Sequence, residues 1–296
     1  MLDELIELLD NHLSSETVKP LGQIGVFHCR QPQKLHAVPI HQPSIVLVLK
    51  GTKRIAFSSR SERFDVGDLA LLPAGSELLM ENIPCSRQQE YLALCLGFAP
   101  ATVERFLASY GSHLDWSEQR DVLMAKAPQS FTHIIKQRVN WCMEGDQDNQ
   151  ILNDLQQQEI LSVCGYHNLL GLLLQLKHPS WRQRVSGIIS LDLSSKWKFG
   201  DVCRKLNVSE SGLRRNLQAE GTSFSDLLEQ ARLVAGLALL QETSQPVSQV
   251  AAAVGYQSQS RFTERFKQRF GITPSQLKQS REPLSQVELK VLDGVG

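Results

Sequence analysis

The chain has 296 residues, 42% of them hydrophobic and 21% charged, with a formal net charge of zero. That is ordinary globular composition, which excludes a low-complexity or heavily charged tract and predicts two domains for a length of this order. The longest apolar runs, such as Ile45 to Leu49 and Leu169 to Leu174, fall well short of the roughly 20 residues that cross a bilayer, and no membrane partner is expected.

Met1 to Leu13 carries Asp3, Glu4, Glu7 and Asp10, where a secretory signal has a basic start and an unbroken apolar core, so a cytoplasmic protein is expected. Between about Leu21 and Phe98, short apolar runs alternate with turn signals. Ile45 to Leu49 precedes Lys50-Gly51, Leu69 to Leu72 follows Val66-Gly67-Asp68 and precedes Pro73-Ala74-Gly75, and Tyr91 to Leu96 closes the series. Strands at this spacing predict an antiparallel barrel or sandwich.

From Pro100 the apolar period becomes helical, through Phe106, Tyr110, Phe131, Ile135, Val139, Ile151, Leu155 and Ile160. Gln156 to Leu176 is apolar over more than one stripe, which fits a homodimer interface or, alternatively, an intramolecular core helix. His178-Pro179-Ser180 reads as part of a linker. The six cysteines, Cys29, Cys85, Cys95, Cys142, Cys164 and Cys203, form no C-x-x-C pair, so buried reduced thiols are expected. His28, His36 and His41 are too dispersed for a metal-binding cupin cluster, and neither metal nor cofactor is expected.

The zero net charge conceals an asymmetry. From Lys196 to Arg281, thirteen basic residues stand against seven acidic ones, an electrostatic footprint for nucleic acid confined to one region. The same region holds a quasi-repeat: Val202 and Leu206 correspond to Val250 and Val254 at an offset of 48 residues, Leu213 and Leu217 to Phe262 and Phe266 at 49. Each copy has a turn residue that tolerates positive φ, Asn207 or Gly255, between two short apolar-periodic segments. Two helix-turn-helix units are predicted.

In each second helix an i, i+4 apolar pair fixes the inward face, Leu213 with Leu217 and Phe262 with Phe266. The opposite face carries Ser211, Arg215 and Gln218 in the first copy and Ser260, Glu264 and Lys267 in the second, with Arg214 and Gln259 near the helix starts. Ser211, Arg214, Arg215, Gln259, Ser260 and Glu264 are the base-reading candidates, because Arg suits guanine, Gln adenine, and a carboxylate can accept from cytosine N4. Gln218, Arg261 and Lys267 are the phosphate candidates. Glu264 has an alternative role, an ion pair with Arg261 or Lys267. Between the units Phe224 to Glu242 reads as one long helix, with Leu227, Ala231, Val234 and Ala238 on its apolar stripe. Gly221 and Gly271 suit helix ends, and Ser223 with Asp226 and Thr273-Pro274 suit helix starts.

A plain helical repeat or a protein-binding bundle would share this periodicity. The wording is more specific: GTSFSDLLEQARLVAGLALLQET from Gly221 and VSQVAAAVGYQSQSRFTERFKQRFGITPSQLK from Val247 resemble the DNA-binding domain of the AraC/XylS family of bacterial regulators over about 85 residues. The matching order is Ala251, Gly255-Tyr256, Phe262, Phe266-Lys267 and Gly271 to Ser275. Leu217-Gln218 and Glu264 depart from the family's usual Phe-Lys and Arg, which bears on the target sequence and not on the fold. QPSIVLVLKGTKRI from Gln42 and FDVGDLALLPAG from Phe64 are more weakly similar to the family's cupin-like sensing barrel.

The resemblance implies an α+β chain: an N-terminal cupin-like antiparallel β-barrel with following helices, then an all-α domain with two helix-turn-helix units joined by a long helix. The expected division is 1–176 for sensing and dimerisation, 177–190 as linker, 191–285 for DNA binding and 286–296 as a tail. The expected activity is sequence-specific transcription regulation, activation by resemblance, with double-stranded DNA, a second copy of the chain and RNA polymerase as partners and room for a small-molecule effector. A DNA-binding enzyme with a reactive cysteine is the competing reading, but no cysteine has the neighbouring His or Cys that would activate it.

Overall fold

The computed structural model describes residues 1–14, 21, 24–57, 60–85, 89–120, 122–144, 149–174, 180–189 and 197–281. Helix α1 (Leu2–Leu13) precedes eight strands, β1 (Ile24–Cys29), β2 (Gln33–Pro39), β3 (Ser44–Lys50), β4 (Thr52–Phe57), β5 (Arg60–Phe64), β6 (Asp68–Leu72), β7 (Glu77–Ile83) and β8 (Tyr91–Gly97). Helix α2 (Pro100–Tyr110), strand β9 (Met124–Lys126) and helices α3 (Gln129–Glu144), α4 (Gln150–Tyr166) and α5 (Leu170–Leu173) follow.

The strands form two antiparallel sheets, ordered β1-β8-β3-β6-β9 and β2-β7-β4-β5. β3 is buried along its whole length, because helices cover one face of its sheet and the second sheet covers the other. That burial on both faces is why its sequence is a continuous apolar run and not an alternation. β7, covered on one face, alternates buried and half-buried residues.

The expected closed barrel is not formed. No strand pair joins the two sheets among the described residues, so the domain is an open sandwich. The opening between edge strands β1 and β2 is filled from outside the sheets. The backbone N–H groups of Arg30 and Gln31 donate to the Ser280 carbonyl at 2.8 and 2.9 Å, and Leu233, Leu237 and Leu240 join the apolar core that lies between the sheets.

The C-terminal part is all helical: α6 (Trp181–Ile189), α7 (Phe199–Leu206), α8 (Glu210–Ala219), α9 (Phe224–Glu242), α10 (Val247–Ala253), α11 (Gln259–Phe270) and α12 (Pro274–Gln279). α6 falls where a linker was expected. Val185 and Ile189 are buried with Val202, Leu213 and Leu217, and the Glu220 carboxylate accepts from the backbone N–H groups of Trp181 and Arg182, both at 2.8 Å. Those N–H groups have no acceptor within the helix, so the carboxylate caps its start.

Helix α9 serves two cores. Leu227 and Ala231 pack with the first helix pair, while Leu233, Leu237 and Leu240 pack with α10, α11 and the sandwich. Its buried face therefore rotates midway, and the expected stripe through Val234 and Ala238 lies at the edge of the core, half-buried. At Gly236 a side chain would meet the Phe262 ring at 2.8 Å, so glycine is what lets α11 approach α9 closely.

Of the two readings of the apolar run Gln156 to Leu176, whose last two residues lie outside the described residues, the intramolecular core is the one its leucines fit. Leu169 and Leu173 are each 1% exposed and belong to the helical core against the sheet. The exposed apolar surface lies one helix earlier, on α4, where Ile151, Leu152, Leu155 and Tyr166 are exposed.

Candidate nucleic-acid interface

Two helix pairs present the sequence-predicted residues. In the first, α7 ends at Asn207 in the left-handed conformation, φ 53° and ψ 48°, and the Ser209 hydroxyl caps α8 by accepting from the Gly212 N–H at 3.2 Å. In the second, α10 runs into Gly255 at φ 84°, and the Ser258 hydroxyl caps α11 by accepting from the Arg261 N–H at 3.3 Å. The positive φ reverses the backbone within a few residues and the cap restarts it, which is what sets two short helices at a steep angle. Gly221 and Gly271 adopt positive φ, and Ser223–Asp226 and Thr273–Gln276 form reciprocal caps.

Leu213 and Leu217 are buried on α8, as are Phe262, Phe266 and Phe270 on α11. Tyr256 and the three phenylalanines form a continuous ladder with successive ring centroids 5.3, 5.4 and 4.7 Å apart. With those faces fixed inward, Ser211, Arg215 and Gln218 on α8 and Gln259, Ser260, Glu264 and Lys267 on α11 are exposed. Arg214 is exposed too, but its guanidinium lies 5.5 Å from the Phe199 ring centroid, drawn back over the first helix. Ser211 lies 3.4 Å from the Ser209 hydroxyl at the helix start.

Among the described residues, Glu264 forms no ion pair with Arg261 or Lys267, and Arg215 has no acidic partner. Two arginines that sequence reasoning did not single out stand beside the second unit. Arg265 on α11 pairs with Glu229 on α9 at 3.2 Å, and the Arg232 guanidinium sits 3.0 Å from where a side chain would begin at Gly255. Both come together through the packing of α9 on α11, and the local sequence carries no signal of that.

The interface is not walled off by the N-terminal domain. The sandwich meets the far end of α11, where Arg269 pairs with Glu77 at 2.6 Å and Gly271 lies against His36. Burial pushes the thiols of Cys29, Cys95 and Cys164 up to about 12, so none is a thiolate near neutrality. No group of three metal-ligating side chains occurs among the described residues.

Two family models match the chain. The one described as "AraC-type transcriptional regulator N-terminus" covers residues 20–163, and the one described as "Helix-turn-helix domain" covers residues 202–280. The chain belongs to the AraC family. Among curated relatives, the HTH-type transcriptional activator CsvR of Escherichia coli is 39% identical over 93 residues, 31% of this chain and 35% of that protein. The DNA-binding dual transcriptional regulator Rns of Escherichia coli is 37% identical over 93 residues, with the same coverage of 31% and 35%. The chain thus spans about a third of the length of the curated relatives it matches. Among solved structures, unsaturated fatty acid bound wild-type ToxT from Vibrio cholerae strain SCE256 has a TM-score of 0.57 at 16% identity, covering 89% of this chain and 96% of that one. The ToxT likeness extends the shared fold across both domains.

Proposed function

We propose that this AraC-family chain is a sequence-specific DNA-binding transcription regulator, an activator, that binds two successive major-groove segments per subunit and acts in the cytoplasm. The observation that carries the reading is the pair of exposed polar rows on α8 and α11, held by one helix of 19 residues. At 1.5 Å per residue that helix spans about 28 Å, close to the roughly 34 Å of one DNA turn. A rigid joint of that length suits two adjacent grooves on one face of the duplex. Arg215 and Glu264 are the base readers with the widest freedom, Ser211, Arg214, Gln259 and Ser260 support them, and Gln218, Arg261 and Lys267 contact phosphate. The division that best fits the packing places the start of the DNA-binding part at α6.

Dimerisation runs through α4, not through the buried leucines after it. Ile151, Leu155 and Tyr166 recur on one side of the helix, 73%, 55% and 83% exposed, and a two-fold axis would let the same stripe serve both subunits. RNA polymerase is the further partner of an activator. The sandwich is the sensing part. Lys53 is its candidate contact for an acidic effector: it is 1% exposed, its ammonium donates to Asn82 at 2.7 Å and lies 5.8 Å from the Tyr91 ring centroid, and burial lowers it to about 8. The Tyr91 hydroxyl beside it is buried without a partner. The ToxT structure holds an unsaturated fatty acid, an acid of the kind a buried ammonium would pair with.

The test is a salt titration of the full chain on random-sequence duplex. Log affinity should fall linearly with log salt, by about 0.9 per phosphate neutralised. Absence of binding at low salt, or affinity indifferent to salt, would overturn the reading.

A further inference from the structure

An open cleft of about 1070 Å³ separates the first half of α9 from the turn and helix start of the second unit. Three arginines line it: Arg232 from α9, and Arg261 and Arg265 one turn apart on α11. Resting on the reading of the chain as a DNA-binding regulator, we propose that this cleft holds the sugar-phosphate backbone of the DNA segment running between the two recognition helices.

The placement follows from helix geometry. Arg261 and Arg265 lie roughly 100° around α11 from Ser260 and Glu264, between the exposed row and the buried phenylalanines. When the row enters a major groove, these two side chains face the strand that bounds the groove on the side of the first unit. Arg232 faces them across the cleft. Gly255 leaves it room, since any side chain there would start 3.0 Å from the guanidinium.

Two further features favour an anion. The Ser258 hydroxyl satisfies only the Arg261 N–H, so the N–H groups of Gln259 and Ser260, which have no acceptor inside the helix, open on the same side. The Tyr256 hydroxyl is buried with no partner, and burial pushes it up to about 12, so it stays a donor. The two carboxylates of the cleft do not cancel the arginines. Asp226 is held by Ser223 at the start of α9 through both its N–H and its hydroxyl. Glu229 engages the Arg265 Nε at 3.2 Å and Gln268 accepts from its Nη1 at 3.1 Å, which steers the guanidinium and leaves Nη2 for a phosphate.

A continuous backbone fits better than a free phosphate. The cleft lies between the helix that joins the two units and the start of the second recognition helix and is open to solvent, and its cations are spread over two helices instead of converging on a single point. It also accounts for arginines set beside the base-reading row without facing a base.

Phosphate ethylation interference on the full chain bound to its selected site provides the test, with Arg232→Gln/Arg265→Gln and Arg232→Lys/Arg265→Lys as variants. In the wild type, ethylation should interfere at phosphates between the two protected grooves. The Gln pair should lose that interference alone, bind both cognate and scrambled duplex about 10- to 100-fold more weakly, lower the salt slope by about 2, and keep its base preferences. The Lys pair should recover most of the affinity. Interference confined to phosphates inside the two grooves, an unchanged salt slope, altered base preferences, or equal losses in the Gln and Lys pairs would each overturn the cleft assignment while leaving the DNA-binding reading intact. Binding of 10 mM inorganic phosphate with an affinity matching the loss would assign the cleft to a free anion and overturn the backbone assignment. Failure of the wild type to bind any duplex would sink the functional reading itself.

Discussion

Glu242 closes α9 where that helix meets the sandwich, with its Oε1 2.9 Å from the position a Cβ would take on Gly25 of β1. The glycine makes room for a carboxyl group that no cation attends among the described residues, and burial lifts its pKa from 4.5 to about 7. A carboxyl raised in this way penalises the folded state in its ionised form. The penalty is absent below pH 4.5, grows as pH rises, and is complete above about 7. At about 1.4 kcal/mol per tenfold the ceiling is roughly 3 kcal/mol, and the partial exposure of the side chain brings the expectation to about 2. Glu242→Gln should therefore raise the unfolding free energy by about 2 kcal/mol at pH 8 and leave it unchanged at pH 4.5. Urea titrations of both proteins at pH 4.5, 6, 7 and 8 read this directly. Parallel pH profiles, or a variant less stable at pH 8, would refute the reasoning. Cys95, which also faces Glu242, stays protonated throughout because burial holds its thiol at about 12.

Other consequences follow from the same geometry. Arg215→Ala should cost about 1 to 3 kcal/mol on the correct site and relax one operator position in a selection assay; equal weakening on every sequence would make Arg215 a phosphate contact. Ile151→Glu with Leu155→Glu should yield monomer in sedimentation at concentrations where the wild type is dimer, with unfolding temperature within a few degrees because both positions are exposed. Leu173→Glu, buried in the core, should instead unfold the N-terminal domain, and a well-folded monomer from that variant would argue against α4 as the interface. Lys53→Met should abolish any thermal shift that an unsaturated fatty acid gives the wild type, and an equal shift in both proteins would exclude Lys53 as the contact.

The helical half was legible in the sequence because its signals are local. Asn207, Gly255, Gly221 and Gly271 need positive φ, Ser223 and Thr273 need only residues three positions on, and the buried pairs on α8 and α11 recur at i, i+4. The strands were legible as runs, but closure of a barrel depends on how edges meet, and here α9 and Ser280 occupy the edge that closure would use. The leucines after α4 read as an interface or as an intramolecular core, because a stripe apolar on several sides does not say which neighbour covers it. α6 was hidden by the expectation of a linker over 177–190 around His178-Pro179-Ser180, although Trp181, Val185 and Ile189 already stood at helical spacing. The base-reading rows were visible from periodicity. Arg232 and Arg265 were not, because what makes them neighbours is the packing of two helices.

In the proposed complex one subunit reads two adjacent grooves through α8 and α11. Hydroxyl-radical footprinting of the full chain on a duplex obtained by in vitro selection tests it most directly. Two protected segments per subunit are expected, centred roughly 10 base pairs apart on one face of the duplex, with Arg215→Ala relaxing sequence preference at one position of one segment and Glu264→Ala at one position of the other. A single short segment per subunit, or loss of preference in the same segment from both variants, would contradict it.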